Sequence, residues 1–361
     1  MTSGHVVVAP VLSHAEVAAT CASIARWQRP DGMIPWFPGG HADAWNHVEA
    51  AMALTVGGFT GEAERAYRWL AELQHADGSW CRYYVADGVE DPTRDTNVCA
   101  YIATGAFHHL LHTADLAFAR RLWPVVADAI GFVLSQQRPG GELTWAVEDG
   151  RPGQYALLTG TSSAYFSLRC AVALAEALDL ERPEWELAAG RMATAIAFRP
   201  EAFAPKHAWA MDWYYPVLCG AVGGEAGRER LAGRFSEFVW PGRGCRCIDA
   251  QPWVTAAETA ECAMAHAAVG RTGAGRRLLA WAQHLRHPDG SYWTGAVHPE
   301  GGHYPEAERS TYTAAAVVLA NDCLSGTGPA AGLFRGENLP AGLDLDLAAL
   351  AEIEAVDDDR C

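Results

Sequence analysis

No apolar run in this 361-residue chain approaches the roughly twenty residues a helix needs to cross a bilayer. Basic charge is scarce: 27 Lys and Arg stand against 43 Asp and Glu, a formal net charge of −16. That balance argues against nucleic acid or an anionic membrane as partner, since either calls for a basic face. The start, Met1-Thr-Ser-Gly-His5, has neither a basic segment nor a cleavable apolar stretch, so the expected compartment is the cytoplasm. The ten cysteines then read as reduced core residues. Cys245-x-Cys247 is the only tight pair and lacks a second pair at zinc-site spacing. Recognised nucleophile and phosphate devices are missing too: there is no Gly-x-Ser-x-Gly elbow, no Walker loop and no His-Glu-x-x-His. Neither a metal nor a cofactor is expected.

Against these absences stands a repeat. Six times a long loop rich in aromatics, glycine and proline runs into a helix of small and apolar residues, and a shorter link leads to a more charged helix. The clearest loops are Gln28-Arg-Pro-Asp31-Gly32-Met-Ile-Pro-Trp36, Gln74-His-Ala-Asp77-Gly78-Ser-Trp80 and His287-Pro-Asp289-Gly290-Ser-Tyr-Trp293. Gln137-Arg-Pro-Gly140-Gly-Glu-Leu-Thr-Trp145 is a looser copy. A period of roughly fifty residues means one supersecondary unit stacked repeatedly.

Periodicity predicts inner helices beginning near Asp43, Asp95, Thr161, Asp212, Val254 and Arg309, and outer ones near His14, Gly61, Asp115, Pro183, Glu225 and Thr272. Inner segments such as Ala50-Ala-Met-Ala-Leu-Thr-Val56 are apolar or small on nearly every face and should be surrounded by protein. Outer segments such as Gly61 to Leu73 keep a charged face for water. The pattern predicts an all-α fold, an (α/α)6 barrel of six inner and six outer helices over residues 1–325. An acidic tail, 326–361, follows. An open solenoid would need polar caps at both ends, and none is evident.

The links are asymmetric. Outer-to-inner loops hold most of the Trp, Tyr, Pro and Gly, and they emerge at one rim, where the inner helices present their N-termini. Long loops in a compact domain are usually functional, so the site belongs at that rim. The Gln-x-x-Asp-Gly-x-x-x-Trp residues themselves read as scaffolding: Asp-Gly makes the turn and Trp plugs between helices.

The chemistry on offer is carboxylates among aromatics. Trp36-Phe-Pro-Gly-Gly-His41-Ala-Asp43-Ala-Trp45-Asn46-His47 is the densest such cluster, and Asp249-Ala-Gln251-Pro-Trp253-Val-Thr-Ala-Ala-Glu258-Thr-Ala-Glu261 is the second. Asp95, Asp212 with Trp213 and Tyr214, and Tyr312 support them. Paired carboxylates flanked by flat aromatic faces suit glycosidic bond cleavage, one group protonating the leaving oxygen and the other activating water. Each has a plainer reading: Asp43 and Asp95 are good helix N-caps, and Thr255-x-x-Glu258 matches a capping box. The Ala-rich wall around Glu258 favours it as general acid, and the polar neighbours of Asp43 favour that residue as general base.

The repeat loops resemble those of squalene–hopene cyclases and prenyltransferase β-subunits. The cyclase Asp-x-Asp-Asp motif is absent from any inner helix, however, and no prenyltransferase zinc set assembles. Over residues 10 to 325 the chain more closely resembles actinobacterial (α/α)6 hydrolases of polymethylated mannose polysaccharides. The likeness rests on Trp36-Phe-Pro-Gly-Gly-His-Ala-Asp43-Ala-Trp-Asn-His47-Val-Glu49 and Gln251-Pro-Trp-Val-Thr-Ala-Ala-Glu258. It implies an α-1,4-endomannanase that cuts mannose or 3-O-methylmannose oligomers by inversion, with Asp43 and Glu258 as its carboxylate pair. Trp36, His41, Trp45, Asn46, His47, Asp95, Asp212, Trp213, Tyr214, Trp253, Glu261 and Tyr312 are the expected substrate-binding residues. A terpene cyclase or prenyltransferase-like enzyme, and a glycan-binding toroid without catalysis, stay open at this stage.

Overall fold

A computed structural model describes residues 10–342; the remainder of the expected acidic tail, 343–361, lies outside the described residues. In chain order the helices are α1 (His14–Trp27), α2 (Ala44–Val56), α3 (Thr60–Leu73), α4 (Thr96–Ala100), α5 (Ile102–Thr113), α6 (Leu116–Ser135) and α7 (Leu158–Ala177). Then come α8 (Pro183–Phe198), α9 (Ala210–Leu218), α10 (Gly224–Gly233), the single turn α11 (Phe235–Phe238), α12 (Ala256–Ala268), α13 (Thr272–Trp281) and α14 (Thr311–Ser325). Each of the twelve predicted starts falls within three residues of a helix start; the inner helix predicted from Asp95 is divided into α4 and α5, and α11 is additional. The buried set α2, α5, α7, α9, α12 and α14 is alanine-rich because small side chains let neighbouring backbones approach. α2 packs on α5, α5 on α7, α7 on α9, α9 on α12, α12 on α14, and α14 returns to α2.

The repeat motif explains how outer helices join. Gln28 Nε2 donates to its own turn at the Gly32 carbonyl (3.0 Å) and to the Glu62 carbonyl of α3 (2.9 Å). Gln74 does the same with Gly78 and Val125 of α6, and Gln137 with Gly141 and Ala188 of α8. In the last repeat Arg286 takes the glutamine's place and donates to the Glu16 carbonyl of α1. Three residues beyond each of these acceptors, a second helix carbonyl presses on the turn glycine. A Cβ on Gly78 would stand 2.0 Å from the Asp128 carbonyl oxygen, and one on Gly290 would stand 2.6 Å from that of Ala19. Both glycines also hold φ near +90°, where other residues are strained. The motif is scaffolding, and its final copy locks the last outer element onto the first.

The rim departs from an all-helical reading. Ten short strands lie in the loops: β1 (Tyr83–Val85), β2 (Gly88–Asp91), β3 (Arg94–Asp95), β4 (Ala146–Glu148), β5 (Arg151–Pro152), β6 (Val239–Trp240), β7 (Gly244–Arg246), β8 (Trp253–Thr255), β9 (Trp293–Val297) and β10 (His303–Arg309). The last five form one sheet in the order β10-β9-β8-β7-β6, with every pair antiparallel. Long loops running side by side must satisfy their backbone polar groups, and short ladders do so.

At the other end, residues 327–342 fold back on the inner helices. Phe334 stacks on Phe166 of α7 with ring centroids 5.4 Å apart, Arg335 donates to the Cys323 carbonyl, and Gly328 N donates to Asp322. Ala330, Ala331 and Leu333 are buried there. This part of the expected tail therefore packs as core. No helix among the described residues is long and apolar enough to cross a membrane.

Candidate active site

The loop before α2 is stitched on both sides. Ala42 and Tyr84 exchange backbone hydrogen bonds at 2.8 Å, and Thr311 of α14 donates to the Trp36 carbonyl at 2.7 Å. This fixes the Trp36 indole over Asp43, the N-cap of α2. Asp43 Oδ1 accepts from Asn46 N (2.8 Å), and Oδ2 accepts from both Trp36 Nε1 and Asn46 Nδ2 (2.6 Å each). Capping and lining a cleft are not alternatives here, for Asp43 does both. Burial raises its pKa above the usual carboxylate value, and the bonds from Asn46 and Trp36 pull only part of the way back.

Strand β8 runs straight into α12, and Glu258 sits in that helix's first turn. The capping-box reading fails. Thr255 makes no side-chain cap bond, and its hydroxyl is buried without a partner. Glu258 is left free to face the cleft, with the Cys247 thiol in hydrogen-bonding contact. Asp43 and Glu258 line one open cleft of about 870 Å³, together with Trp36, Trp45, Asn46, Tyr83, Asp95 and Tyr312. Their helices are separated in the ring only by α14.

Beneath the pair lies a second couple of carboxylates. Glu49 and Glu261 are 2% and 3% exposed, yet both line the cleft floor. Tyr215 donates to Glu261 Oε1 at 2.7 Å and Tyr214 donates to Oε2. Burial pushes Glu261 up to about 8, against the two tyrosine bonds and with the charge of Glu258 adding to the rise. Burial also lifts Glu49 well above the usual range, with repulsion from Glu261 and Asp43 added. Two such groups in one desolvated floor both favour their protonated forms.

This gives a stability signature. The folded state keeps a proton on Glu261 that the unfolded chain, at 4.5, releases. Its contribution is complete below about pH 4.5 and is lost as pH rises through about 8. Thermal unfolding from pH 5 to 8 should show Tm falling in the native protein and falling less in Glu261→Gln. Equal slopes would mean Glu261 is not the group responsible.

Other expected residues divide by helix face. Trp45 stacks on Tyr101 at 4.4 Å and donates Nε1 to Ser163 at the cleft wall. Asp95 caps α4 through Val98 N, and burial raises it to about 6. Asp212 accepts from Thr159 Oγ1 at 2.6 Å in an adjoining lobe. His41 lies behind the wall, stacked on Tyr83 at 4.2 Å and bonded to Glu90. Four more placements need correction. His47 points away from the cleft, between the Ile34 amide and the Ala66 carbonyl of α3, and burial lowers it to about 4. Trp213 is core, stacked on Phe238 and bonded to the Arg230 carbonyl. Tyr214 is fully buried and touches the site only through Glu261. Trp253 sits on the rim sheet, stacked on Tyr304 at 4.1 Å, and does not line the main cleft.

Cleft residues not singled out from sequence are Arg82, Tyr83, Val98, Thr159, Met211 and Ala257, and Glu49, Asn97 and Tyr215, which fall in the segments picked out, also line it. Helix spacing carries a signal for several. Asn46 and Glu49 are three apart, and Met211 and Tyr215 four apart, so each pair shares a face.

No protein-family model matches the chain. Among solved structures it resembles a glycosidase variant in complex with glucose, with a TM-score of 0.68, 15% identity, and coverage of 87% of this chain and 96% of that one. It also resembles the GH63 mannosylglycerate hydrolase of Thermus thermophilus, with a TM-score of 0.61, 12% identity and coverage of 84% and 99%. At such identity these likenesses show the fold alone. A curated relative is far nearer: the MMP endo-(1,4)-3-O-methyl-alpha-D-mannosidase of Mycolicibacterium hassiacum is 50% identical over 334 residues, 92% of this chain and 93% of its own length. The chain therefore belongs to the glycoside hydrolase family represented by that mannosidase.

Proposed function

We propose that this protein hydrolyses internal α-1,4 linkages of 3-O-methylmannose polysaccharide on an (α/α)6 barrel spanning residues 10–325, by inversion, with Asp43 and Glu258 as the reacting carboxylates. One observation carries the reading: two acidic side chains, 215 positions apart in sequence, face one aromatic-lined cleft from the first turns of α2 and α12. The closed sequence of inner-helix contacts supports the barrel. The 50% identical mannosidase supports the substrate.

Roles follow from environment. Asp43 is buried, and burial raises its pKa above the usual carboxylate value, the direction that favours a general acid. The three N–H donors around it then stabilise the carboxylate left after transfer. Glu258, only half-buried, has the water access a general base requires. This order, Asp43 as acid and Glu258 as base, reverses the one that composition around the two residues favours. The burial of Asp43 supports this order over the Ala-rich wall near Glu258.

Proton NMR of a fresh digest of methylated α-1,4-mannose oligomers tests the reading. The first reducing ends should be β, and the first products should be oligomers of several sizes. Initial α ends would replace inversion with retention, and stepwise release of single sugars would rule out internal cleavage.

A further inference from the structure

We propose that the second lobe of the cleft is a distal sugar subsite that reads methylation of the polysaccharide, with the exposed face of Trp209 as its platform. The inference deepens the function proposed above and takes the identity of the sugar from it. The lobe is an open space of about 1230 Å³, against about 870 Å³ around the carboxylate pair, and the two adjoin. They share Arg82, Tyr83, Asp95, Asn97, Thr159 and Met211 as a common wall. A chain lying across Asp43 and Glu258 therefore has a ready path into it.

The lining has two characters. Leu143, Leu157, Met211, Trp145 and Trp209 give it apolar surface, and Thr96, Asn97, Thr144 and Thr161 add polar groups. Asp95 and Asp212 also line it, both held as acceptors by fixed donors, Val98 N and Thr159 Oγ1. Of the fourteen tryptophans, all within the described residues, Trp209 is the one that stays exposed, at 40%. Leaving a large indole in water gains nothing for the fold. Lys206 sets its Nζ 5.8 Å from that ring, and Trp145 is held flat against Tyr155 with centroids 5.6 Å apart.

A 3-O-methyl group removes one hydroxyl donor from a mannose unit and adds an apolar knob. A wall of hydroxyl-reading side chains would be penalised by that change. A wall of indole, leucine and methionine is rewarded by it, roughly 4-fold in affinity for each buried methyl group. The remaining hydroxyls of the same ring meet Asp95 and Asp212. Methyl preference is thereby placed in the lobe, away from the bond being cut.

The test is titration calorimetry on Glu258→Gln protein, which leaves the ligand intact, using methylated and unmethylated α-1,4-mannose oligomers of equal length. The methylated oligomer should bind at least about 4-fold tighter. Adding Trp209→Ala should bring the two affinities together, whereas Trp209→Phe, which keeps a flat ring, should retain most of the difference. Circular dichroism confirms that each variant is folded. No methyl preference in the parent, no binding of either oligomer, or a preference untouched by Trp209→Ala would each overturn the assignment. Hydrolysis by the unsubstituted protein is scored separately. Binding with a Trp209-dependent preference but no cleavage refutes the hydrolase mechanism and keeps the lobe, and cleavage with an unmoved preference does the reverse.

Discussion

Asp43→Asn should lower kcat on the methylated oligomer by about 10²–10⁴-fold, the range a positioned general acid contributes. Asparagine is as good an N-cap as aspartate, so α2 should still start where it does. The cost to folding is smaller and specific. Both oxygens of Asp43 accept N–H bonds, so an amide nitrogen must face one donor, at about 1–3 kcal/mol. A substrate whose leaving group needs no protonation, such as an aryl glycoside of low pKa, should recover much of the lost rate. With Asp43 as the acid, the alkaline limb of the pH profile should vanish in the variant. A near-normal kcat would remove Asp43 from the chemistry, and failure of the activated substrate to recover would reassign it as the base.

Glu258→Gln should cost about as much, again about 10²–10⁴-fold in kcat, but with the opposite rescue. An activated leaving group should not help, because the missing step is deprotonation of water. Azide needs no deprotonation, and should enter from the water's side to yield a β-mannosyl azide. Little structural penalty is expected, since Glu258 is half-buried and caps nothing. Recovery by the activated substrate without azide would exchange the two assignments.

Much of the frame was legible because it is written in local rules. Asp43 and Asp95 announce their helices as N-caps, the Asp-Gly turns mark the repeats, and alanine-rich segments separate inner from outer helices. The direction of individual side chains was harder to read. His47 lies two residues before Glu49, a rotation of about 200° around the helix, and so faces α3 when Glu49 faces the cleft. Trp213 stands in the same relation to Met211 and Tyr215. Aromatic richness near a carboxylate points to the right loop but not to the right face. The rim strands escaped because runs of two to seven residues carry too little alternation to register. Tyr83 belongs to that group, with Arg82 just before it, and both reach the cleft where β1 pairs with the loop before α2.

Because the seam between Gly290 and Ala19 joins positions 271 residues apart, α1 is made long before the turn that closes on it. Until Gly290 has left the ribosome, α1 keeps an unmated flank, and no nascent fragment ending before it can complete the circle. Such a molecule is slow to finish by topology, and its premature fragments present an open joint to whatever chaperone or protease arrives first.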